Sequence, residues 1–222
     1  MVNSVLLIGA TGLIGTQLLN QCLVDDYIDS VVAPTRKPLE RQHSKLANPL
    51  FKDIDDLDLE GFEINTLLCC FGTTRKKAGS AQAFEEIETH FMQTLLIKAK
   101  KANIKNVIFV SSLGANPNSL IHYSRVKAMI EDFALNLGFE SLYILRPSLL
   151  LGHRNEDRFL EGLSIKISKK LKPLKKLALK SWPVESRVVA QVMSKLSHNP
   201  RPGIHIIENQ LINTLGDEHA SS

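Results

Sequence analysis

The sequence lacks the features of a disulfide-rich, metal-binding or membrane-spanning protein. It holds three cysteines among 222 residues, Cys22, Cys69 and Cys70, and an odd number without regular spacing argues against a disulfide framework and against a zinc site. No apolar run approaches the roughly 18 residues that a membrane-spanning helix needs. The amino terminus has no basic and apolar segment of the kind that directs secretion. We therefore expect free thiols, no bound metal and a cytoplasmic location.

The net charge is also small, at +4, and so gives no indication of nucleic-acid binding. The excess is local, because seven lysines lie between Lys166 and Lys180. In the same segment, 160–180, apolar residues recur every three or four positions and predict one apolar helix face opposite the lysines. We interpret residues 152–184 as a small carboxyl-terminal appendage or lid on the substrate side. Binding of a basic amphipathic helix to an anionic membrane surface is the less favoured alternative.

Apolar runs of strand length alternate with stretches of helical periodicity along the chain. The predicted strands are Ser4–Gly9, Val31–Ala33, Pro49–Lys52, Thr66–Phe71, Lys105–Val110, Ser141–Leu145 and Gly203–Glu208. The predicted helices are Leu13–Leu23, Ala83–Asn103, His122–Leu137 and Glu185–Ser197, with fraying expected from Gly216 onward. This alternation predicts right-handed βαβ units and a doubly wound parallel α/β sheet, in one domain over residues 1–222.

Three glycines separate the first predicted strand from the first predicted helix, in the run Gly9-Ala-Thr-Gly12-Leu-Ile-Gly15. Gly9 allows a tight turn, Gly12 lets backbone N–H groups approach a pyrophosphate, and Gly15 lets the helix pack closely on the strand. The partial positive charge of the helix amino end favours phosphate binding there. The pattern predicts a Rossmann-type dinucleotide site with contacts from Gly9, Thr11, Gly12, Leu13, Ile14 and Gly15.

The segment after the second predicted strand has no carboxylate and reads Thr35-Arg36-Lys37. Sites that prefer NAD usually hold the ribose hydroxyls with Asp or Glu about 20 residues beyond the glycines. A carboxylate would repel a 2′-phosphate, whereas Arg36 can bind one through two parallel hydrogen bonds. We therefore predict NADP(H) in preference to NAD(H), although a solvated basic loop would have the same composition.

A tyrosine and a lysine stand one helical turn apart in Tyr123-Ser-Arg-Val-Lys127. A phenol with an ordinary pKa near 10 exchanges protons poorly at neutral pH unless a neighbouring cation lowers that pKa. Lys127 could supply the cation and also hold ribose hydroxyls. Ser111-Ser112 ends the fifth predicted strand, where parallel sheets present catalytic groups. Spacing leaves the two serines as alternatives, and we prefer Ser112 for its distance from Gly114.

Four motifs occur in order along the chain: Gly9-x-x-Gly12-x-x-Gly15, Ser112, Tyr123-x-x-x-Lys127 and Arg146-Pro147. Together they resemble the short-chain dehydrogenase/reductase superfamily, in its atypical NAD(P)-binding branch. More narrowly, the segment CFGTTRKKAG from Cys70 to Gly79 resembles a stretch typical of the Tat-interacting oxidoreductase-like proteins. The resemblance runs over most of the chain.

The resemblance implies further cofactor contacts and one departure from the family. The implied contacts are Gly72, Thr73 and Thr74 after the fourth strand and Ser111 at the end of the fifth. Asp53 and Ile54 would lie against the adenine, and Arg146 and Pro147 on the nicotinamide side. The alternative for Asp53 is an acidic loop without a role in binding, and the alternative for Arg146 is a simple strand end. The family's catalytic asparagine has no clear counterpart, since Glu88-Thr89-His90 occupies that region.

The motifs point to an NADP(H)-dependent oxidoreductase acting on a small carbonyl or alcohol, with Tyr123, Lys127 and Ser112 as catalytic residues. A non-catalytic NADP(H)-binding sensor is the alternative, and the missing asparagine favours it. A nucleotide-sugar epimerase or dehydratase would need a larger carboxyl-terminal domain than remains after Leu151. The sequence indicates neither the substrate nor the oligomeric state.

Overall fold

The computed structural model describes residues 3–152 and 182–217. In these ranges one sheet contains the strands β1 (Ser4–Ile8), β2 (Ser30–Val32), β3 (Leu46–Ala47), β4 (Thr66–Cys69), β5 (Asn106–Val110), β6 (Ser141–Arg146) and β9 (Gly203–Glu208). All neighbours are parallel, in the order β3-β2-β1-β4-β5-β6-β9. The chain order reverses between β1 and β4, so the loops after these two strands diverge and leave a crevice at the carboxyl edge. The predicted doubly wound parallel sheet is confirmed.

Helices cover both faces of the sheet. They are α1 (Leu13–Val24), α2 (Arg75–Ala78), α3 (Ala81–Lys101), α4 (His122–Leu135), α5 (Ser186–His198) and α6 (Asn209–Asp217). Helices α1 and α5 pack on one face and α3 and α4 on the other. The Ser80 hydroxyl caps α3 by accepting from the Ala83 N–H at 3.0 Å, which is why this helix begins two residues before its predicted start.

The core consists of two apolar layers that the sheet separates. Alternate residues of each central strand enter opposite layers, so that Leu68 and Cys70 face α1 and α5 while Leu67 and Cys69 face α3 and α4. Burial on both faces explains why these strands are continuous apolar runs. The described cysteines are free, as predicted. Burial raises the pKa of both Cys22 and Cys69 to about 12, so these thiols are protonated and unreactive at neutral pH.

The third strand and the last helix differ from the prediction. The strand at Pro49–Lys52 was wrong: β3 lies at Leu46–Ala47, and Leu50 makes only an isolated bridge with Thr35. Proline cannot donate to a strand ladder, and the Asn48 side chain instead donates to the Ala33 carbonyl at 2.6 Å.

Fraying was predicted from Gly216, whereas α6 continues to Asp217; the rest of that prediction, over residues 218–222, lies outside the described residues. A side chain at Gly216 would begin 2.3 Å from Val188 Cγ1. The glycine therefore lets α6 pack tightly against α5, and the fully buried Ile212 of α6 belongs to the same core cluster as the buried residues of α5.

A short parallel pair, β7 (Leu150–Leu151) and β8 (Val184–Glu185), joins the two described ranges. The predicted appendage over 152–184, with its apolar stripe and lysines, lies almost wholly outside the described residues. Among the described helices, none combines the length and apolar character needed to cross a membrane.

Candidate functional site

The three glycines of the turn between β1 and α1 have different structural roles. Gly9 adopts φ of +86°, and a Cβ there would lie 2.9 Å from the Cys70 carbonyl carbon. A Cβ at Gly15 would lie 2.0 Å from the Gly9 carbonyl oxygen, so neither position accepts a side chain. At Gly12 the nearest contact would be 3.1 Å and the backbone is extended. The conformation of the turn thus requires glycine at positions 9 and 15. At position 12 the absence of a side chain instead leaves the backbone accessible to a ligand.

The amino end of α1 fits an anionic group. Gly12 is its N-cap, no side chain in the described ranges caps the helix, and the first turn holds no acidic residue. The Gly12 N–H is already bonded to the Gly9 carbonyl at 2.8 Å, but the N–H groups of the next residues have no partner within the helix. Unpartnered amides and the helix dipole both favour a phosphate. The predicted pyrophosphate site is therefore compatible with the local geometry.

Arg36 lies on a loop whose conformation is fixed by its neighbours. The buried Thr35 hydroxyl donates to the Lys37 carbonyl at 2.6 Å and accepts from Asn48 Nδ2 at 2.8 Å. Arg36 itself is exposed, and no ion pair with a described carboxylate engages it. Its guanidinium is available to a 2′-phosphate.

Asp53 and Ile54 begin a short 3-10 turn that faces α3. Ile54 is buried in the core, while Asp53 is exposed and caps the turn by accepting from the Asp55 N–H. Among the described residues, Asp53, Asp55 and His90 are close enough to surround a metal ion, with ligand atoms within 4.8 Å of one another. All three are exposed, and the His90–Asp55 hydrogen bond of 3.0 Å already accounts for their proximity.

Tyr123 and Lys127 lie one turn apart at the start of α4, as the spacing predicts. The Tyr123 ring stacks on Phe84 of α3 with ring centroids 5.5 Å apart. Lys127 Nζ lies 5.8 Å from the centroid of the Tyr123 ring. The lysine is buried and the tyrosine half-buried, and in such surroundings a charge acts more strongly on its neighbours than it does in water.

Glu88 completes this group and was not identified as a site residue from the sequence. Its Oε2 lies 2.6 Å from Lys127 Nζ, and its Oε1 accepts from the Thr73 N–H in the loop after β4. Burial lowers the pKa of Lys127, but the charge and hydrogen bond of Glu88 more than offset this and leave that pKa above its ordinary value. Lys127 is therefore charged at neutral pH.

The sequence did contain a signal for Glu88. Phe84, Glu88 and Met92 recur every four residues along α3, and all three are buried. A glutamate within the apolar stripe of a helix requires a buried partner. What the spacing does not show is that the partner lies 39 residues later, on another helix.

A second buried carboxylate, Glu131 of α4, fixes two other predicted site residues. The Ser111 hydroxyl donates to Glu131. Arg146 binds the same carboxylate through two hydrogen bonds, of 3.0 Å from Nε and 2.5 Å from Nη2, and also reaches Glu208 at 2.9 Å. These hydrogen bonds raise the pKa of Arg146. The side chains of Ser111 and Arg146 are thus engaged within the protein.

The remaining predicted residues lie on loops at the same sheet edge. The Ser112 hydroxyl has a long hydrogen bond of 3.4 Å to the Leu113 carbonyl, and the Leu113 N–H donates to the Pro147 carbonyl at 2.8 Å. Gly72 is exposed, and the Thr74 hydroxyl caps α2 by accepting from the Lys77 N–H at 3.3 Å. The loops after β5 and β6 are therefore joined by a hydrogen bond, and the loop after β4 is linked to Lys127 through Glu88.

Several proteins of similar sequence come from fungi. A protein of Candida albicans named FMP52, mitochondrial, is 33% identical over 160 residues, which cover 69% of this chain and 70% of that protein. The protein of the same name from Debaryomyces hansenii is 29% identical over 203 residues, covering 89% and 88%. The expected cytoplasmic location is wrong, because relatives from several fungi are named as mitochondrial. That expectation rested only on absent features, which do not identify a compartment.

Solved structures share the fold at low identity. A short chain dehydrogenase/reductase from Saccharomyces cerevisiae has a TM-score of 0.68 and 20% identity, covering 97% of this chain and 98% of that chain. MoeE5, solved in complex with UDP-glucose and NAD, has a TM-score of 0.68 and 16% identity, covering 98% and 82%. The resemblance to short-chain dehydrogenase/reductases is confirmed at the level of the fold.

The family follows from the sequence match and the sheet together. Residues 5–183 match the NAD dependent epimerase/dehydratase family, and the parallel sheet with its glycine turn is of the Rossmann type. The chain therefore belongs to the NAD dependent epimerase/dehydratase family.

Proposed function

We propose that the protein is an NADP(H)-dependent oxidoreductase that acts on a small carbonyl or alcohol. The observation that carries the proposal is the buried ammonium of Lys127, charged through its pair with Glu88 and 5.8 Å from the Tyr123 ring. A fixed cation stabilises the phenolate that a neighbouring tyrosine leaves when it donates its proton to a substrate.

The chain's own groups supply the contacts that a nicotinamide dinucleotide needs. The first turn of α1 would receive the pyrophosphate and Arg36 the 2′-phosphate. An ammonium has three N–H groups, and Glu88 accepts from one on Lys127, so the others would serve the ribose hydroxyls. Bound NADPH would supply the hydride. The further contacts that we propose are Thr11, Asp53, Ile54, Gly72, Thr73, Thr74, Ser111, Arg146 and Pro147.

In the reductive direction the Tyr123 hydroxyl would donate its proton to the substrate oxygen, and Lys127 would stabilise the phenolate that remains. The Ser112 hydroxyl would donate a hydrogen bond to the same oxygen. We choose Ser112 because the hydroxyl of Ser111 is bonded to Glu131, whereas among the described residues that of Ser112 has only its 3.4 Å contact.

A non-catalytic NADP(H)-binding sensor is the second candidate. A specific observation favours it: Glu88 occupies the region of the family's catalytic asparagine and pairs with Lys127. Incubation of the protein with NADPH and a panel of small aldehydes, ketones and quinones separates the two functions. We expect oxidation of NADPH with at least one compound. Tight NADPH binding without turnover across the panel would favour the sensor.

We also propose a mitochondrial location, on the names of the fungal relatives. Fractionation of cells that express the full chain tests this. We expect the protein to sediment with the mitochondrial fraction, and its recovery in the cytosolic fraction alone would contradict the proposal.

Replacement of Arg36 tests the preference for NADPH. One charge-assisted pair to a phosphate corresponds to about tenfold or more in affinity, so the parent should bind NADPH tighter than NADH by about that factor. Arg36→Ala should remove most of the difference while leaving NADH affinity unchanged. Calorimetric titration with both cofactors measures this, and Lys37→Ala, at the next exposed residue, is the control. Equal affinity of the parent for both cofactors would refute the role of Arg36.

A further inference from the structure

Glu88 joins three elements of the structure through one carboxylate. It projects from α3, accepts from the Thr73 N–H in the loop after β4, and pairs with Lys127 of α4. Its side chain is fully buried and that of Lys127 is 7% exposed. Water therefore cannot replace either partner, and the Lys127 ammonium depends on Glu88 for its stabilisation.

We propose that Glu88 is the positioning residue of this site, which holds Lys127 protonated beside Tyr123 and ties it to the loop after β4. Burial alone would favour the neutral amine, because an isolated ammonium is costly away from water. A neutral Lys127 would exert no field on the phenol. The catalytic role of the Glu88–Lys127 pair rests on the proposed function, whereas the pair itself and the test below do not depend on it.

Glu88→Gln preserves shape and removes the charge. The groups that face Lys127 are then Tyr123 of the same helix and Cys69 of β4, besides the substituted residue. Burial raises the pKa of the Cys69 thiol to about 12, so this group does not replace the missing negative charge in the range tested. In the folded variant the pKa of Lys127 should therefore be lower than its pKa in the unfolded chain.

The expected sign follows from proton linkage. In the parent, the raised pKa of Lys127 makes its contribution to stability fully present below the unfolded pKa of about 10.4, so it stays constant from pH 7 to 10. In Glu88→Gln, over part of this pH range, Lys127 carries its proton in the unfolded state but not in the folded state. The folding constant of the variant relative to the parent should therefore rise with pH, by up to about tenfold per pH unit.

Glu131→Gln is the matched control. Glu131 is also a buried carboxylate facing α4, but its partner is Arg146, and arginine keeps its proton throughout this range. Its loss should reduce stability by an amount that does not change between pH 7 and 10. Urea unfolding of the full chain at several pH values, followed by circular dichroism, measures all three proteins without cofactor or substrate.

A pH-independent loss in Glu88→Gln, parallel to that of Glu131→Gln, would overturn the proposal, because Glu88 would then act through packing alone. If Glu88→Gln does not fold at pH 7, the stability of the double variant Glu88→Gln/Lys127→Met tests the proposal instead. Since the double variant buries no charge at the pair, it should be more stable than the single variant. A double variant that is no more stable would also overturn the proposal. Failure of the protein to bind NADPH would leave these results unaffected.

Discussion

Tyr123→Phe should slow the chemical step by a factor of 10² to 10⁴, the usual contribution of a positioned general acid, while NADPH affinity changes little. The substitution removes one hydroxyl and keeps the ring that stacks on Phe84. Packing of α4 on α3 and the Lys127–Glu88 pair should therefore survive. Single-turnover oxidation of NADPH with the best substrate of the panel measures the step directly, and calorimetry measures the affinity.

Tyr143→Phe is the matched control for this prediction. Tyr143 is a buried tyrosine of β6 whose hydroxyl accepts from the Arg201 N–H at 3.0 Å, away from the carboxyl edge of the sheet. Its loss should affect stability and leave the rate unchanged. A Tyr123→Phe variant as fast as the parent would show that Tyr123 is not the acid, and the mechanism proposed here would be wrong.

Gly12→Val should weaken NADPH binding by at least about 100-fold without unfolding the protein. The Gly12 backbone is extended and accepts a branched residue, and its Cβ would meet only the Gly9 carbonyl oxygen at 3.1 Å. The added methyl groups would cover the surface where a pyrophosphate must approach backbone. Calorimetric titration and the unfolding midpoint are measured on the same preparation, so that a loss of affinity can be separated from a loss of structure.

Gly15→Ala provides the contrast. A single methyl group there would lie 2.0 Å from the Gly9 carbonyl oxygen, so we expect this smaller substitution to lower the unfolding midpoint and binding together. If Gly12→Val binds NADPH as tightly as the parent, the dinucleotide is bound elsewhere. If it unfolds as Gly15→Ala does, the different roles assigned to the two glycines are incorrect.

Local patterns were sufficient for the sheet and the glycine turn. Burial on both faces of the sheet makes β1, β4 and β5 apolar runs. The glycine turn directly follows β1 and precedes α1, so its role could be inferred from adjacent residues. The edge strand β3 could not be located in this way. It pairs over only two half-buried residues, so its sequence carries little apolar signal, and the nearby run at Leu50–Phe51 was more conspicuous.

The electrostatics of the site could not be read from spacing, because its partners are distant in sequence. Lys127 was identified by its distance from Tyr123, yet the carboxylate that keeps it charged lies 39 residues earlier. Ser111 and Arg146 were predicted to face the cofactor, yet both donate hydrogen bonds to the carboxylate of Glu131. Such pairs depend on how α3, α4 and β6 pack together, which a single sequence does not specify.

A crystal structure of the protein with NADPH tests the central claim most directly. We expect the pyrophosphate against the N–H groups that follow Gly12, the 2′-phosphate on Arg36, and the nicotinamide ring between Tyr123 and Ser112. The Tyr123 hydroxyl should lie within hydrogen-bonding distance of a substrate oxygen placed next to the reactive ring carbon. A pyrophosphate bound away from the glycine turn, or a nicotinamide ring remote from Tyr123, would contradict the account.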